Sequence, residues 1–457
     1  MTDYDAIVIG GGSGGVYMAE RLAGAGQRTA LIERKLLGGT CVNVGCTPTK
    51  TLVASAHAAH VARRAAEYGV VIDAPVRVDM KRVKARKDVI VNPGPDKLEA
   101  WLRGTQNCTL YKGQARFAST HEVQVGDETL RGKRIFINVG GRAAIPNLSG
   151  VDNVPYFTNS TILDIDFLPR HLIVVGGSYI GLEFAQIYRR FGSAVTIIEM
   201  APRLIAREDE DVSTAIREIL EREGIEVRLN ATCIALEQQG EQIVAGVDCA
   251  EGEPKVSGSH VLIATGRRPN TDDLGLDKAG VKVDERGYIL VNDELRTSVG
   301  HIWALGDCNG RGAFTHTAYN DFEIVAANLL DNDVRRISDR IPAYALYTDP
   351  PLGRCGMTDA EVRKSGRKAL VGRRPMTRVM RAVEKGETQG LMKVVVDAES
   401  REILGAAILG PGGDEVVHSV LDLMYAKAPS TVLQRAMHVH PTVSELLPTV
   451  MGELEPQ

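Results

Sequence analysis

Two cysteines in the stretch GGTCVNVGCTPTK, Cys41 and Cys46, are the residues of this chain whose spacing says most about its chemistry. Zinc sites usually place ligands two to four residues apart and need four of them. No second cysteine pair and no nearby histidine pair accompanies these two. The pattern therefore disfavours a metal site and leaves a structural disulfide, a redox centre or two small loop residues.

Helix geometry places the two cysteines in different settings. Five residues of a regular helix rise about 7.5 Å, which exceeds the Cα separation of about 7 Å that a disulfide can span. Pro48 fits only the first turn of a helix, and Thr47 before it is a good N-cap. We therefore predict a helix over 48–69, with Cys41 in the preceding loop and Cys46 at the helix entrance.

The helix entrance determines the expected reactivity of the pair. Positive potential at a helix N-terminus lowers the pKa of a thiol and favours the thiolate, which is the nucleophile in disulfide exchange. Cys46 is therefore expected to be the reactive thiolate of an exchange-active pair. The alternative, that both residues only fill small apolar spaces, is disfavoured by the two nucleotide-binding patterns that flank them.

A glycine fingerprint for a dinucleotide lies at the N-terminus. The predicted strand DAIVIG ends at Gly10, Gly12 and Gly15 follow, and a predicted helix continues through VYMAERLAGAG. The first glycine makes a tight turn, the second admits backbone N–H groups to a pyrophosphate, and the third lets the helix pack closely. The next predicted strand, RTALIE, ends at Glu33, which is placed to accept hydrogen bonds from a ribose.

A second copy of this pattern follows 166 residues later. Gly176, Ser178 and Gly181 take the three glycine positions after the predicted strand HLIVVG. The helix LEFAQIYRRFG and the strand AVTIIE, which ends at Glu199, complete the copy. Ser178 replaces the middle glycine, so backbone approach is less free there. Two matched cradles predict two dinucleotides, such as a flavin and a nicotinamide that exchange electrons.

Glu199 also indicates which nicotinamide is bound. A carboxylate at the ribose favours the free hydroxyls of NAD and repels the extra phosphate of NADP. Arg203, four residues further on, would weaken that preference. We predict NADH, with NADPH as the alternative.

Composition excludes several classes of protein. The 457 residues are 44% hydrophobic and 25% charged with a net charge of −4, which is ordinary for a soluble protein of about three domains. Neither nucleic acid nor a membrane surface is indicated as a partner. The acidic N-terminus has no signal-like apolar stretch, so a cytoplasmic location is expected. Seven cysteines are too few for a disulfide framework, and we expect the others to be ordinary core or surface residues: Cys108, Cys233, Cys249, Cys308 and Cys355.

These patterns resemble the class I pyridine nucleotide–disulfide oxidoreductases, FAD enzymes that include dihydrolipoamide dehydrogenase, glutathione reductase and mercuric reductase. The resemblance spans essentially the whole chain through GGTCVNVGCTPTK, both fingerprints, ATGRRPN, WALGDCN, YTDPPLGRCGMT and HVHPTVSELLP. It implies an α/β fold with two Rossmann-like dinucleotide-binding domains, for FAD and NAD(P), and a C-terminal α+β interface or dimerisation domain. The implied boundaries are 1–148 and 266–335 for the two parts of the FAD domain, 149–265 for NAD(P) and 336–457 for the interface domain.

The resemblance also implies roles for individual residues. Cys46 would face the flavin as a charge-transfer thiolate, and Cys41 would be the interchange thiol that attacks the substrate. Lys50 would lie near the flavin N5 and pair with Glu183. Tyr179 would be an aromatic lid over the flavin that swings away when nicotinamide binds.

The cofactor contacts implied by the resemblance form two sets, and neither contains a metal ligand. Asp307 would bind the flavin ribityl chain, and residues 264–266 would form a return strand and turn. The FAD set is Gly10, Gly12, Gly15, Glu33, Gly39, Thr40, Lys50, Gly266 and Asp307. The nicotinamide set is Gly176, Ser178, Tyr179, Gly181 and Glu199.

The C-terminal HPTVSE matches the base of the family. His440 would accept and return the proton of Cys41 or of a dithiol substrate, and Glu445 would orient and charge-stabilise its imidazole. In relatives this pair reaches the cysteines of the other subunit, so a homodimer is implied. Thr442 and Glu445 also fit a capping box, and both roles hold only if Glu445 is shared. His438 is either a packed interface histidine or a participant.

The implied reaction has two halves. NADH would reduce FAD, FAD would reduce the Cys41–Cys46 disulfide, and the dithiol would reduce an acceptor by exchange. A dehydrogenase would run this sequence backwards. The acceptor would be a small or carrier-bound disulfide, a metal ion or an oxidant.

The branch within the family rests on finer differences. No C-terminal cysteine pair and no N-terminal metal-binding module is seen, so classical mercury reduction is not expected. Glu199 and the wording GCTPTKT disfavour glutathione reductase. GCTPTKTLVASA and PPLGRCGMT favour a mercuric-reductase-like flavoprotein akin to bacterial reactive-chlorine-resistance reductases.

Three alternatives remain open. Dihydrolipoamide dehydrogenase is favoured by Glu199 and by His440 with Glu445. A non-catalytic flavoprotein subunit of a larger complex is opposed by the intact cysteines, Lys50 and His440. A flavin oxidase that bypasses the disulfide is the third.

Overall fold

The computed structural model describes residues 1–248 and 252–457, and it leaves out the side chain of Cys233. The expectations for Cys233 and Cys249 therefore fall outside what is described. Within the described residues the helices are α1 Ser13–Gly24, α2 Gly39–Val44, α3 Cys46–Arg63, α4 Met80–Val91, α5 Pro93–Gly104, α6 Tyr179–Phe191, α7 Glu210–Arg222, α8 Thr315–Ala326, α9 Asp359–Ser365, α10 Met380–Glu384, α11 Gly413–Tyr425, α12 Ser430–Arg435 and α13 Leu447–Gly452.

The strands of the same residues are mostly short. They are β1 Thr2–Ile9, β2 Thr29–Glu33, β3 Cys108–Lys112, β4 Ala115–Phe117, β5 Glu122–Val125, β6 Glu128–Ile137, β7 Gly141–Ala143, β8 His171–Val175, β9 Ala194–Ile198, β10 Glu226–Arg228, β11 Thr232–Gln239, β12 Gln242–Asp248, β13 Lys255–Gly258, β14 His260–Ile263, β15 Arg267–Pro269, β16 Ile302–Ala304, β17 Ala343–Leu346, β18 Leu352–Gly356, β19 Ala369–Pro375, β20 Leu391–Asp397, β21 Ile403–Leu409 and β22 Glu455–Pro456.

The chain forms two compact units, each built from several segments. Unit 1 contains Met1–Thr51, Lys81–Ala144 and Gly266–Arg340. Unit 2 contains Leu52–Met80, Ile145–Thr265 and Ile341–Gln457. The assignment of FAD and NAD(P) to residue ranges within these units stays a prediction.

The main sheet of unit 1 has the order β3-β2-β1-β6-β5-β4, with β16 also paired to β6. Strands β3, β2, β1, β6 and β16 are parallel. Both faces of β1 are buried: Ala6 and Val8 pack into one apolar cluster with α1 and α8, and Ile7 and Ile9 into another. A strand covered on both faces has an almost continuous apolar sequence, which is why DAIVIG lacks a polar alternation.

Unit 2 contains a second parallel sheet and two antiparallel ones. The parallel sheet has the order β10-β9-β8-β14 and follows the second fingerprint. Strands β11, β12 and β13 form a small antiparallel sheet. The C-terminal segment forms a six-stranded antiparallel sheet, β17-β18-β21-β20-β19-β22. Alternating strands and helices followed by an antiparallel sheet with helices confirm the predicted α/β class with a C-terminal α+β part. No described helix is both long and apolar enough to cross a membrane.

The two glycine turns have the same backbone geometry. Gly10 has φ +103° and Gly176 has φ +116°. A Cβ on either would lie 2.4 Å from a backbone oxygen, that of Asn138 or of Ala264 respectively. The predicted internal repeat is therefore present at the level of individual backbone atoms, and each turn has room only for glycine.

A buried ion cluster joins α7 to the C-terminal sheet within unit 2. Lys393 on β20 is fully buried, and its Nζ lies 2.8 Å from Asp209, 2.9 Å from Asp211 and 2.7 Å from Asp359. Arg354 contacts Asp209 at 2.9 Å from the same interior. Burial alone would raise the pKa of Asp209, but Arg354 and Lys393 hold this pKa below its usual range. The three carboxylates thus form ion pairs with one buried ammonium group.

Substituting Gly15 by Ala should destabilise the protein by about 1–3 kcal/mol or more, because the new Cβ would lie 2.0 Å from the carbonyl oxygen of Gly10. Thermal unfolding measures the effect as a fall in Tm. Gly24 ends the same helix, and a Cβ there meets nothing within 4 Å. Gly24→Ala should leave Tm unchanged or raise it slightly. Equal losses in the two variants would contradict the packing explanation.

Substituting Lys393 by Met should cost about 3–5 kcal/mol, because it leaves buried carboxylates without their cation. Lys368→Met is the control: its contact with Glu399 is 3.7 Å long and both side chains are about 80% exposed, so we expect almost no change. The lowered pKa of Asp209 means that the stability of the cluster is present at neutral pH and is lost as the pH falls towards acid values. Urea unfolding at neutral and acidic pH should therefore show a smaller difference between wild type and Lys393→Met in acid.

Candidate active site

The acidic residue at the end of each second strand binds the glycine turn. Glu33 accepts from Gly11 N at 2.8 Å and from Lys35 N at 2.7 Å. Glu199 accepts from Gly177 N at 2.5 Å and from Ala201 N at 2.8 Å. Each carboxylate therefore has a fixed position beside its turn, with lone pairs left for further donors such as ribose hydroxyls. Arg203 directs its guanidinium to the carbonyl of Ala206, at 3.1 Å.

Cys41 and Cys46 lie on either side of a sharp bend. Cys41 is in the short helix α2, and Cys46 is the first residue of α3. A Cβ on Gly45 between them would lie 2.7 Å from the carbonyl oxygen of Thr40 and 3.2 Å from the Cα of Cys41. The φ of Gly45 is −137°, which other residues can adopt. Glycine is therefore required here by the close approach of the backbone and not by its φ.

The structure corrects two predictions about this region. Cys41 lies in α2 rather than in a loop, because Gly38 adopts a left-handed conformation and the side chain of Asn43 donates to the carbonyls of Leu37 and Gly39. The helix predicted over 48–69 begins at Cys46 and ends at Arg63, so Thr47 is not its N-cap. The placement of Cys46 at the helix entrance is confirmed.

The two sulfurs interact with each other and with a threonine. Neither cysteine is in a disulfide, and their side chains are hydrogen-bonded. The Oγ1 of Thr315, the first residue of α8, lies 3.3 Å from the Sγ of Cys46. The hydrogen bond to Cys46, together with burial and a negative charge on Cys46, raises the pKa of the Cys41 thiol. The two thiols therefore titrate as a coupled pair. The thiolate role of Cys46 stays a prediction.

The cysteine segment is attached directly to the first glycine turn. Gly38 N donates to the carbonyl of Gly11 at 2.8 Å. Gly39 has φ +58°, and a Cβ there would lie 2.8 Å from the Cα of Gly12. Thr40 continues from this contact into α2, so the predicted cofactor residues Gly39 and Thr40 lie on the segment that carries the predicted redox pair, and Gly12 lies against it.

Asp307 follows β16 in a turn that is fixed by hydrogen bonds to a buried aspartate. The buried Asp321 accepts from Gly306 N at 2.8 Å and from Asn309 at 2.9 Å. Arg267 lies 3.6 Å from the carboxylate of Asp307. Burial raises the pKa of Asp307, and Arg267 opposes that rise. Gly266, just before the neighbouring strand β15, has φ +127°, and a Cβ there would meet nothing within 4 Å, so its glycine is required by conformation rather than by space.

Tyr179 is the first residue of α6 and lies beside the second glycine turn. Its ring meets that of Tyr344 edge-on with centroids 5.6 Å apart, and the two hydroxyls are hydrogen-bonded. The hydroxyl of Tyr344 also donates to Glu208, which lies 3.8 Å from Arg354. Burial raises the pKa of Tyr179 to about 12. Movement of Tyr179 as a lid, which stays a prediction, would require this contact to break.

Lys50 and Glu183 each occupy a defined position. Lys50 lies on α3 one turn after Cys46. Glu183 lies on α6 and is only 6% exposed, and its Oε1 accepts from Tyr347 N at 3.0 Å. Their pairing with one another stays a prediction.

His440 and Glu445 form a dyad. The Nδ1 of His440 lies 2.9 Å from Oε2 and 3.1 Å from Oε1 of Glu445. Because a carboxylate only accepts, Nδ1 carries the proton and Nε2 is left as the basic nitrogen. The His440 side chain is 75% exposed and that of Glu445 only 16%. Met437 and Val439 beside it are also highly exposed, as expected of a surface that another subunit covers.

The capping box is only half formed. Thr442 accepts from Glu445 N at 3.2 Å, while the carboxylate of Glu445 binds His440 instead of returning to the backbone. Glu445 therefore serves both contacts: its backbone N–H binds Thr442 at the cap, and its carboxylate binds His440. His438 directs Nδ1 to the carbonyl of Ser444 at 2.7 Å, which packs it against this segment.

Three of the other cysteines are in inert settings. Cys308 and Cys355 are buried, and burial raises the pKa of each thiol to about 12. Burial raises the pKa of Cys108 to about 11. Their thiols stay protonated at neutral pH, in agreement with the expectation that they are ordinary packing residues.

Several residues of the site carry no signal in the sequence. Asn138 donates to the carbonyl of Gly10 at 3.4 Å and lies below the first glycine turn. Asn43 fixes α2, Asp321 fixes the turn before Asp307, and Thr315 contacts the cysteines. Each acts through a contact that no local sequence pattern indicates. The one available signal is the segment FTHTAY, which contains Thr315 and is typical of a helix start.

Comparison with known proteins identifies the family. Residues 4–321 match the family described as pyridine nucleotide-disulphide oxidoreductase, and residues 342–451 match its dimerisation domain. The chain therefore belongs to the pyridine nucleotide–disulfide oxidoreductase family. It is an FAD-dependent enzyme that uses NAD(P)H, and its dimerisation domain supports a homodimer.

Individual relatives cover nearly the whole chain. The probable pyridine nucleotide-disulfide oxidoreductase RclA of Escherichia coli (strain K12) is 36% identical over 98% of both chains. A dihydrolipoyl dehydrogenase of Thermus scotoductus is 34% identical over 97% of this chain and 96% of its own. The solved Cu(II) complex of the HOCl-induced flavoprotein disulfide reductase RclA from Escherichia coli matches with a TM-score of 0.90, at 34% identity over 99% of both chains.

The residues present fit an FAD and a nicotinamide dinucleotide. Each glycine turn leaves a cradle that a Cβ at Gly15 or Gly181 would disrupt, at 2.0 Å from the preceding turn carbonyl. Each cradle has a fixed carboxylate, Glu33 or Glu199, on the ribose side of the fingerprint. The phosphates of a dinucleotide suit the N-termini of α1 and α6.

Replacing Glu445 by Gln should slow disulfide turnover by roughly 10-fold, and His440→Ala by about 10²- to 10⁴-fold, because the first loses the orienting charge and the second the base. Steady-state rates with NADH and a disulfide measure both. His438→Asn is the matched control, since its imidazole is committed to the carbonyl of Ser444. A His438 variant as slow as the His440 variant would contradict this assignment.

Proposed function

We propose that this chain is an NADH-dependent reductase of the mercuric-reductase-like branch, akin to RclA, whose Cys41–Cys46 pair passes electrons to a small metal-ion or oxidant-derived acceptor. The observation that carries the proposal is the paired thiols at the start of α3, tied by Gly38 and Gly39 to the first glycine turn. The similarity to RclA over 98% of the chain supports this branch. One solved structure of RclA is a Cu(II) complex, and we take Cu(II) as the test acceptor.

The chain's own residues divide the work. A bound FAD supplies the two-electron carrier between the nicotinamide and the disulfide. Two electrons and one proton convert the Cys41–Cys46 disulfide into a Cys46 thiolate and a Cys41 thiol. Two Cu(II) ions then accept one electron each, which restores the disulfide and releases two Cu(I) ions and one proton. Soft thiolate ligands suit copper in its reduced state.

NADH preference is part of the same proposal. Glu199 is held beside the second turn by two backbone N–H groups and presents negative charge where a ribose phosphate would lie. Arg203 donates one hydrogen bond to the carbonyl of Ala206 at 3.1 Å. The fixed carboxylate of Glu199 favours the free ribose hydroxyls of NADH.

Dihydrolipoamide dehydrogenase is the second candidate, and the dyad favours it. An organic dithiol must lose a proton to attack a disulfide, and His440 with Glu445 offers an acid–base group for that transfer. A metal ion that only accepts electrons makes less use of such a base. The dihydrolipoyl dehydrogenase of Thermus scotoductus, at 34% identity, supports this alternative.

A steady-state panel on the FAD-loaded enzyme separates the candidates. Lipoamide, glutathione disulfide, Hg(II), Cu(II) and oxygen are each offered with NADH and with NADPH, and NADH oxidation is followed together with chelated Cu(I). We expect Cu(II) to be reduced faster than lipoamide, and NADH to be used better than NADPH. Faster lipoamide turnover would favour the dehydrogenase, and faster turnover with NADPH would contradict the role of Glu199.

Cys41→Ser should lower acceptor reduction by at least about 10²-fold, because the interchange thiol is lost. Cys108→Ser is the matched control, since the Cys108 thiol stays protonated and belongs to no pair. Oxygen consumption should survive in both variants. Acceptor reduction that survives in Cys41→Ser would overturn the proposed electron path.

A further inference from the structure

The hydroxyl of Thr315 contacts both sulfurs of the redox pair. Its Oγ1 lies 3.3 Å from the Sγ of Cys46 and is also hydrogen-bonded to Cys41. These atoms all belong to unit 1. A hydroxyl placed between two sulfurs that change charge during turnover is positioned to take part in their chemistry.

The position of Thr315 is fixed by its helix. The first turn of α8 is capped by Thr317, whose hydroxyl donates to the carbonyl of Phe314 and accepts from Phe314 N at 3.1 Å. Helix α8 packs on the first glycine turn, where a Cβ on Gly14 would lie 2.8 Å from the carbonyl oxygen of Ala318. Capping is therefore carried out by Thr317, and the hydroxyl of Thr315 is left to the sulfurs.

The chemistry of the three groups restricts how they can bind. A thiolate only accepts hydrogen bonds, a thiol donates weakly, and a hydroxyl has a single hydrogen with two acceptor lone pairs. The hydroxyl therefore donates to the sulfur that carries the charge. A hydrogen bond to an ionised group is roughly twice as strong as one between neutral groups.

We propose that Thr315 is a catalytic residue that donates its hydroxyl hydrogen to whichever sulfur is the thiolate, to Cys46 in the reduced pair and to Cys41 as it attacks the acceptor. This inference rests on the proposed function, since it requires Cys41 and Cys46 to be the redox pair. No proton leaves Thr315: the proton lost by Cys41 is the one released when the disulfide forms again, and rotation about the Cβ–Oγ1 bond redirects the hydroxyl hydrogen. The exchange of bonds and electrons is the one already described for the pair.

The electrostatics of the pair agree with this role. The hydrogen bond to Cys46 and burial raise the pKa of Cys41, and the hydroxyl of Thr315 acts in the opposite direction. The other charged or titratable groups nearest in sequence to the contact are Lys50, one turn along α3, and the exposed His316 beside Thr315. Removing the hydroxyl should thus make the attacking thiolate harder to form.

Thiol alkylation by iodoacetamide tests the proposal without an acceptor. FAD-loaded enzyme is reduced with dithiothreitol, freed of it anaerobically and alkylated across a range of pH, with the modified cysteine identified by peptide mass. Thr315→Val should move the midpoint for Cys41 upward by about one pH unit, the size expected for loss of a charge-assisted hydrogen bond. Thr315→Ser should restore the wild-type midpoint. Thr315→Ala provides a second hydroxyl-free variant if the Val protein fails to fold.

Thr317→Val is the matched control, because it removes a hydroxyl from the same helix turn that binds the backbone. It should lower Tm and leave the alkylation midpoint unchanged. A wild-type midpoint in the hydroxyl-free Thr315 variants, or an equal shift in the Thr317 variant, would overturn the proposal. Failure of the proposed function would look different: NADH would reduce no acceptor in wild type, while the alkylation midpoints would still be measured.

Discussion

The hydrogen bond from Gly38 N to the carbonyl of Gly11 fixes the segment of Cys41 and Cys46 relative to the first glycine turn. Electron transfer needs reacting groups held in one geometry, and loops alone do not provide it. Here the segment that carries the cysteines is held against the glycine turn after β1, because Gly39 lies against Gly12 and the bend at Gly45 brings Cys46 close to Cys41. The glycine turn also joins β1 of the parallel sheet to α1, and α8 packs against α1. The glycines of the cysteine segment are therefore as much part of the site as the cysteines.

Unit 2 depends on a different kind of constraint. Its C-terminal sheet is joined to the start of α7 by buried charges, through Lys393 with Asp209 and through Arg354 with Glu208. Tyr344 extends this network to Tyr179 at the start of α6. Buried ion pairs are costly to break, so such a network fixes one arrangement of the parts that it joins. The side chains from Lys393 and Arg354 to Tyr179 thus form one contiguous set of contacts between the C-terminal sheet and the start of α6.

The regular features of this molecule could be predicted, because they follow from local sequence. Gly10 and Gly176, Glu33 and Glu199, and the helix entrance at Cys46 lie where their spacing placed them. The short helix α2 was missed, since it depends on Gly38 and on Asn43 reaching back to Leu37. Thr315 and Lys393 were missed for a related reason: Cys46 and Asp209, which they contact, are more than 100 residues away in sequence, and no periodicity marks such contacts.

The duplicated cradle separates two properties of the enzyme. In both copies the turn is made of backbone, and the side chains that we propose to select the coenzyme, such as Glu199, lie at or after the end of the second strand. Helix α3, which begins at Cys46, and Thr315, whose hydroxyl contacts that cysteine, lie on other segments of the chain. Under the proposed function, coenzyme preference and acceptor chemistry therefore belong to separate segments, and a lineage could change one coenzyme for the other by substitutions at Glu199 and its neighbours while its thiol chemistry is inherited unchanged.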